Sequence, residues 1–240
     1  MNFAIIAAGN GSRLSSEGFT SPKPMVELSP GRTMLERLLQ IFRLCGTERI
    51  RIIINTHTPR LKAYIDTLAA TYPLETVCRT TSGSLESLME LHLDPSEPWI
   101  VTTADTVFPA HLFSAMVDRF AADPDADALM GLTPYIDDEK PLYATVDTAA
   151  DIVTGYYDQT PADTSTIYAS GGIYCLRPMA LAALARCREL GFTRMRQYQK
   201  LLVESGLCVR PFIYPRIIDV DHISDIDKAR ALISQPPTTN

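Results

Sequence analysis

The chain has 240 residues, 46% hydrophobic and 21% charged, with a net charge of −6. That length supports one large buried core, and the acidic balance argues against a duplex nucleic acid partner held by phosphate contacts, so any anion site must be local. Five cysteines (Cys45, Cys78, Cys175, Cys187 and Cys208) form no C-x-x-C pair and lie mostly in apolar stretches, the pattern of buried free thiols in a reducing compartment; with no basic leader and no run near ~20 apolar residues, a cytoplasmic protein with no membrane partner is expected.

Residues 3 to 8 read as a buried first strand, followed at once by Gly9, Gly11, Arg13 and then Pro22-Lys23-Pro24. A strand running into a glycine-rich turn leaves backbone N–H groups unpaired and lets a ligand approach the main chain, which suits a polyphosphate. Arg13 adds a planar guanidinium fork and Lys23 a compact charge stiffened by its flanking prolines. The dinucleotide fingerprint is broken, because Leu14 stands where its third glycine belongs.

Thr33 and Glu36 form a capping box ahead of a helix with Met34, Leu35, Leu38, Leu39 and Phe42 on one face, closed by Gly46. A strand at 49–55 precedes a helix opened by Thr58-Pro59, with Leu61, Ile65, Leu68 and Tyr72 inward. At 80–88, Ser82 and Gly83 start a short helix, and they read equally as an N-cap with a flexible turn or as ligand contacts. A strand at 99–105 ends in Asp105, and a helix runs from Pro109 through Phe120. This alternation predicts an α/β fold with a largely parallel sheet covered by helices on both faces.

From about residue 126 short alternating runs indicate a more antiparallel section, including 168–176 with Gly171 and Gly172. Helices at 178–190 and 193–205, strands at 207–214 and 216–220, and a last helix capped by Ser224 and Asp227 follow. The expected organisation is one domain over 1–235 with a flexible tail at 236–240. Asp105 and Asp221 both fall at strand ends, where open α/β sheets bind ligands, and paired carboxylates with open positions suit Mg²⁺. Asp219, Asp225 and Asp227 read as strand-edge or helix-start acids, and His222 as a solvated loop histidine.

"AAGNGSRL" followed by "SPKPMVEL" resembles the G-x-G-x-R and P-K-P signature of the nucleotidyltransferase family that makes nucleoside-diphosphate sugars and related activated alcohols, with the MobA-like NTP-transferase fold. The resemblance implies a three-layer, Rossmann-like (GT-A-like), mixed but mostly parallel sheet. It implies that Ala8, Gly9, Gly11 and Arg13 wrap a nucleoside triphosphate, that Lys23 touches the phosphates at the reaction centre, and that Arg13 and Lys23 are the catalytic cations. Asp105 and Asp221 would be the Mg²⁺ ligands, and Ser82 and Gly83 would lie beside the nucleobase and ribose. Gly171 and Gly172 would either admit a small phosphorylated acceptor or serve packing.

One departure bears on the acceptor. Many sugar-specific members carry Glu-Lys-Pro where this chain reads "YDQTP" at 157–161. The expected function is therefore a Mg²⁺-dependent nucleotidyltransferase acting on a sugar 1-phosphate or similar phosphoalcohol, with a phosphocholine cytidylyltransferase-like enzyme or a catalytically inactive nucleotide sensor as alternatives. Lys140, Arg177, Arg194 and Arg196 receive no role.

Overall fold

Strand β1 (Asn2–Ala7) carries apolar side chains on both of its faces, so it has to lie in the middle of a covered sheet. Phe3, Ile5 and Ala7 point into one core and Ala4 and Ile6 into the other. The computed structural model describes residues 1–162 and 166–234; the tail expected at 236–240 lies outside the described residues. In it, β1 pairs in parallel with β4 (Arg49–Ile54) on one side and β6 (Trp99–Thr103) on the other, and β4 pairs in parallel with the edge strand β5 (Leu74–Cys78).

The second half of the sheet turns antiparallel around one long strand, β11 (Ile167–Leu176). Its C-terminal half pairs with β6 and its N-terminal end with β9 (Tyr143–Asp147), so the strand passes from one neighbour to the other around Gly171 and Gly172. Along its opposite edge lies β8 (Ala128–Thr133), which pairs in parallel with β12 (Val209–Ile213); β10 (Ile152–Tyr157) extends the sheet beyond β9. The result is a nine-stranded mixed sheet, mostly parallel where the sequence alternates strand and helix.

Helices α2 (Met34–Leu44), α3 (Pro59–Leu68) and α5 (Ala110–Ala122) cover one face, with Phe3, Phe42, Phe108 and Phe113 stacked at its centre. Helices α4 (Ser84–Glu90), α6 (Pro178–Glu189) and α7 (Met195–Glu204) cover the other, around Trp99 and Tyr198. A third, smaller apolar cluster lies at the carboxyl edge of the sheet. It joins Leu14 of α1 (Ser12–Ser16), Val26, Leu28 of β2 (Glu27–Ser29), Val107 of β7 (Thr106–Val107), Val220 and α8 (Ile223–Ser234). Loops distant in sequence are anchored there.

Half of the expected capping box is present: the Thr33 hydroxyl accepts the Glu36 N–H at 3.1 Å, and no return bond to the Glu36 side chain forms among the described residues. Several expectations need correction. Strand β5 was not legible in the sequence, because as an edge strand it lacks the apolar alternation of a covered one. The expected strand at 216–220 shrinks to β13 (Ile218–Asp219), paired antiparallel with β7. Strand β6 stops at Thr103, leaving Asp105 in the turn before β7. Tyr72 is buried, but in the turn after α3 rather than on it. Neither Ser224 nor Asp227 caps α8; Asp225, in its first turn, instead accepts the N–H groups of Asp221 and His222 just ahead of the helix.

All five cysteines are free, and only Cys175 and Cys187 are buried; Cys78 is exposed at the sheet edge. Among the described residues no helix is long and apolar enough to cross a membrane.

Phe113 touches three other rings and has no access to solvent. Phe113→Ala is expected to cost about 3–5 kcal/mol in urea unfolding, whereas Leu44→Ala, at a residue 80% exposed, stays within about 0.5 kcal/mol.

Candidate active site

The turn after β1 is shaped by Asn55, a buried residue just past the end of β4. Its side-chain amide reaches the carbonyls of Ala8 and Gly9 at 3.3 and 3.5 Å and the Asn10 side chain at 3.4 Å. With those carbonyls drawn aside, the N–H groups of Gly9, Asn10 and Gly11 donate to no acceptor among the described residues. Gly11 sits at φ +60°, the left-handed region that glycine adopts without strain, and it starts α1. Such successive free amides form a concave anion site. Asn55 was missed in the sequence, where it reads only as the end of an isoleucine run.

At the mouth of this turn the structure gathers four of the expected residues. Lys23 Nζ lies 2.7 Å from Asp105 Oδ2 and 2.6 Å from Asp221 Oδ1, and the Arg13 guanidinium pairs with the other oxygen of Asp221. Burial opposes the charge on Lys23, yet Asp105 and Asp221 together outweigh it and hold the ammonium well above the usual lysine range. The Asp105 carboxyl is likewise disfavoured as an anion by its enclosed position, but Lys23 reverses the balance and lowers it.

Asp219 behaves in the opposite way. It stands on the floor of a cleft, walled by protein but open at the mouth, so its side chain is solvent-exposed. That enclosed position, reinforced by the neighbouring Asp105 carboxylate, raises its carboxyl, while the Thr106 hydroxyl donates to it at 2.8 Å. Two cations, Lys23 and Arg13, thus balance Asp105 and Asp221, and no cation among the described residues pairs directly with the third carboxyl, Asp219, to offset its rise. His222 turns away from this centre to Glu17 and, at 3.6 Å, Glu139, tying α1 to the start of α8.

The remaining expected residues divide between two cavities. One, of about 450 Å³, has Asp105, Asp219 and Asp221 at its floor and is lined by Gly83, Gly172 and the start of α7. The other, of about 150 Å³, is bounded by Arg13, Gly171 and Tyr135. Ser82 takes no part in either; its N–H and hydroxyl both donate to Glu86 at 2.6 Å. Packing also constrains the glycines. A Cβ on Gly83 would stand 2.3 Å from the Thr193 carbonyl, and one on Gly172, at φ +68°, 2.6 Å from the Thr106 hydroxyl. A Cβ on Gly171 would stand 2.2 Å from Cδ1 of the buried Ile217, with its Cγ1 and Cγ2 at 3.3 Å. Arg177 is structural: it lies over the Phe120 ring and donates to the Phe120 and Asp123 carbonyls.

A free-amide turn and a lysine shared by two aspartates, all at the carboxyl edge of the sheet, agree with the family signature, and comparison with known proteins decides it. The MobA-like NTP transferase domain model matches residues 3–162. The chain belongs to this family. The glucose-1-phosphate cytidylyltransferases of Salmonella typhimurium and Salmonella typhi are each 34% identical to it over 106 residues, 44% of this chain and 39% of theirs. The match therefore spans well under half of those relatives.

Solved structures extend the fold over the whole chain. The inositol-1-phosphate CTP transferase from T. maritima superposes with a TM-score of 0.75 at 15% identity, covering 99% of this chain and 98% of that one. A putative glucose-1-phosphate thymidylyltransferase from Bacillus anthracis, solved with sucrose, gives 0.81 at 15% identity, covering 100% and 98%.

A Cβ on Gly9 would meet nothing within 4 Å. Gly9→Ala is therefore expected to leave the melting temperature unchanged and weaken triphosphate binding, whereas Gly172→Ala should destabilise by about 1–3 kcal/mol. Calorimetric melting and nucleotide titration of both variants read the difference.

Proposed function

We propose that the protein is a Mg²⁺-dependent nucleotidyltransferase that joins a nucleoside triphosphate to a small phosphomonoester, in the first place a sugar 1-phosphate, and releases pyrophosphate. The observation that carries this reading is the Lys23 ammonium held between Asp105 and Asp221, beside a turn of free backbone amides. The names of the partial relatives and the fold neighbours support the same reaction class.

The acceptor phosphate is already anionic at neutral pH, so its oxygen can attack the nucleotide α-phosphorus without a general base. What the protein must provide is alignment and charge. The amides of Gly9, Asn10 and Gly11 would bind the triphosphate, with Arg13 and Lys23 offsetting the charge that grows on the departing pyrophosphate. Lys23 remains cationic throughout the physiological range, because its two carboxylate partners hold its proton.

The donor set also fits a divalent ion. Asp105 and Asp221 present hard oxygens, and the position they share is filled by the Lys23 ammonium, so a divalent ion would bind them as Lys23 moves off toward the phosphates. These residues would hold Mg²⁺, which supplies charge neutralisation at phosphate oxygens.

A panel of triphosphates and phosphorylated sugars and alcohols, assayed for pyrophosphate, tests the proposal. At least one pair should turn over, EDTA should abolish the signal, and Lys23→Ala or Asp105→Asn should lower turnover by about 10²–10³. Undiminished release in both variants would refute the assignment.

A further inference from the structure

The larger cavity has a wall that the nucleotide turn does not reach. Lys140, from the segment between β8 and β9, and Arg194 and Arg196, at the start of α7, line it together with Asp138 and the three aspartates of the candidate centre. Arg196 is committed to structure: it donates to Asp158 at 2.7 Å and to the Lys140 carbonyl at 2.9 Å, fastening the Lys140 segment to the helix. Lys140 and Arg194 are exposed, and their side chains have no ion-pair or hydrogen-bond partner among the described residues. The helix N-terminus is not itself open, since Gln197 and Ser84 accept the N–H groups of Thr193, Arg194 and Met195.

A second observation lies one turn deeper. Gln199 is only 2% exposed and lines the same cavity. Its amide oxygen accepts the Ser170 hydroxyl at 2.6 Å, but its NH₂ donates to no protein acceptor among the described residues and is not sealed from the cavity. A buried amide with a free donor calls for an acceptor atom on whatever enters.

We propose that Arg194, Lys140 and Gln199 form the acceptor subsite, and that it takes the phosphomonoester of a polyhydroxylated alcohol, a sugar or polyol, rather than of a quaternary amine. The proposal rests on the reaction class given above and names its second substrate. The phosphate has to sit within reach of the reaction centre in a cavity that Asp105, Asp138, Asp219 and Asp221 make acidic, and Arg194 with Lys140 supplies the cations that offset that repulsion. The body of the acceptor then lies beside Gln199, where a hydroxyl oxygen satisfies the free donor and a trimethylammonium group cannot. Recognition of a quaternary amine draws on aromatic cages, and Tyr174 is the one aromatic ring lining this cavity among the described residues. A volume of about 450 Å³ suits a small-molecule ligand.

The subsite is tested by binding alone, without triphosphate or metal. Calorimetric titration of the full chain with glucose 1-phosphate, phosphocholine and inorganic phosphate is expected to show glucose 1-phosphate bound and phosphocholine bound at least about tenfold more weakly. Arg194→Ala should weaken both glucose 1-phosphate and inorganic phosphate by about tenfold, whereas Gln199→Met should weaken glucose 1-phosphate and spare inorganic phosphate. Arg194 is exposed, so its variant tests the clamp even if Gln199→Met fails to fold. Wild-type affinity in both Arg194→Ala and Lys140→Ala, tighter binding of phosphocholine, or no phosphomonoester binding at all would overturn the subsite. Should the binding pattern hold while no triphosphate yields pyrophosphate, the reaction falls and the subsite stands.

Discussion

One ammonium group organises the working edge of this molecule. Lys23 reaches Asp105 and Asp221 at once, and Arg13 closes over the far side of Asp221. The four residues come from the first loop, the turn after central strand β6 and the approach to the last helix. Carboxylates brought this close repel each other unless a cation stands between them. The lysine therefore makes the arrangement tolerable, and the same arrangement shows where further positive charge would be welcome.

That charge centre stays in place because an apolar cluster lies beneath it. Leu14 sits one residue beyond Arg13, Val26 three beyond Lys23, Val107 two beyond Asp105 and Val220 one before Asp221, and all four are buried in the same small cluster. Each functional side chain is thus tethered by a buried neighbour in its own segment, so orientation comes from packing while the polar heads face the cleft. The main sheet sets the platform, and this satellite cluster sets the positions.

The split of the cleft follows from the path of β11. Where the strand leaves β6 for β9, Gly172 adopts a left-handed conformation against the hydroxyls of Thr103 and Thr106. Thr106 in turn donates to Asp219. Backbone geometry in the antiparallel half is thereby coupled to the acids of the parallel half, and the cations of α7 line the same cavity as those acids.

Whatever depends on near neighbours in the chain was legible from the sequence. The two-faced apolar strands announced a covered sheet, Thr33 and Glu36 announced the start of α2, and Gly9, Gly11, Arg13 and Lys23 announced an open glycine turn with two cations beside it, because each signal acts over a few residues. Edge strand β5, the Asn55 amide beside the turn, the Asp225 bonds back to Asp221 and His222, and the unpaired donor of Gln199 carried no such local signal. Asn55 matters only because β4 ends beside β1, and Gln199 only because α7, packed on β10, brings it to Ser170 of β11. Even for Lys23, composition offered a cation and tertiary structure chose its partners, 82 and 198 residues away, since contacts at that separation are set by how the sheet closes and by nothing within the segment itself.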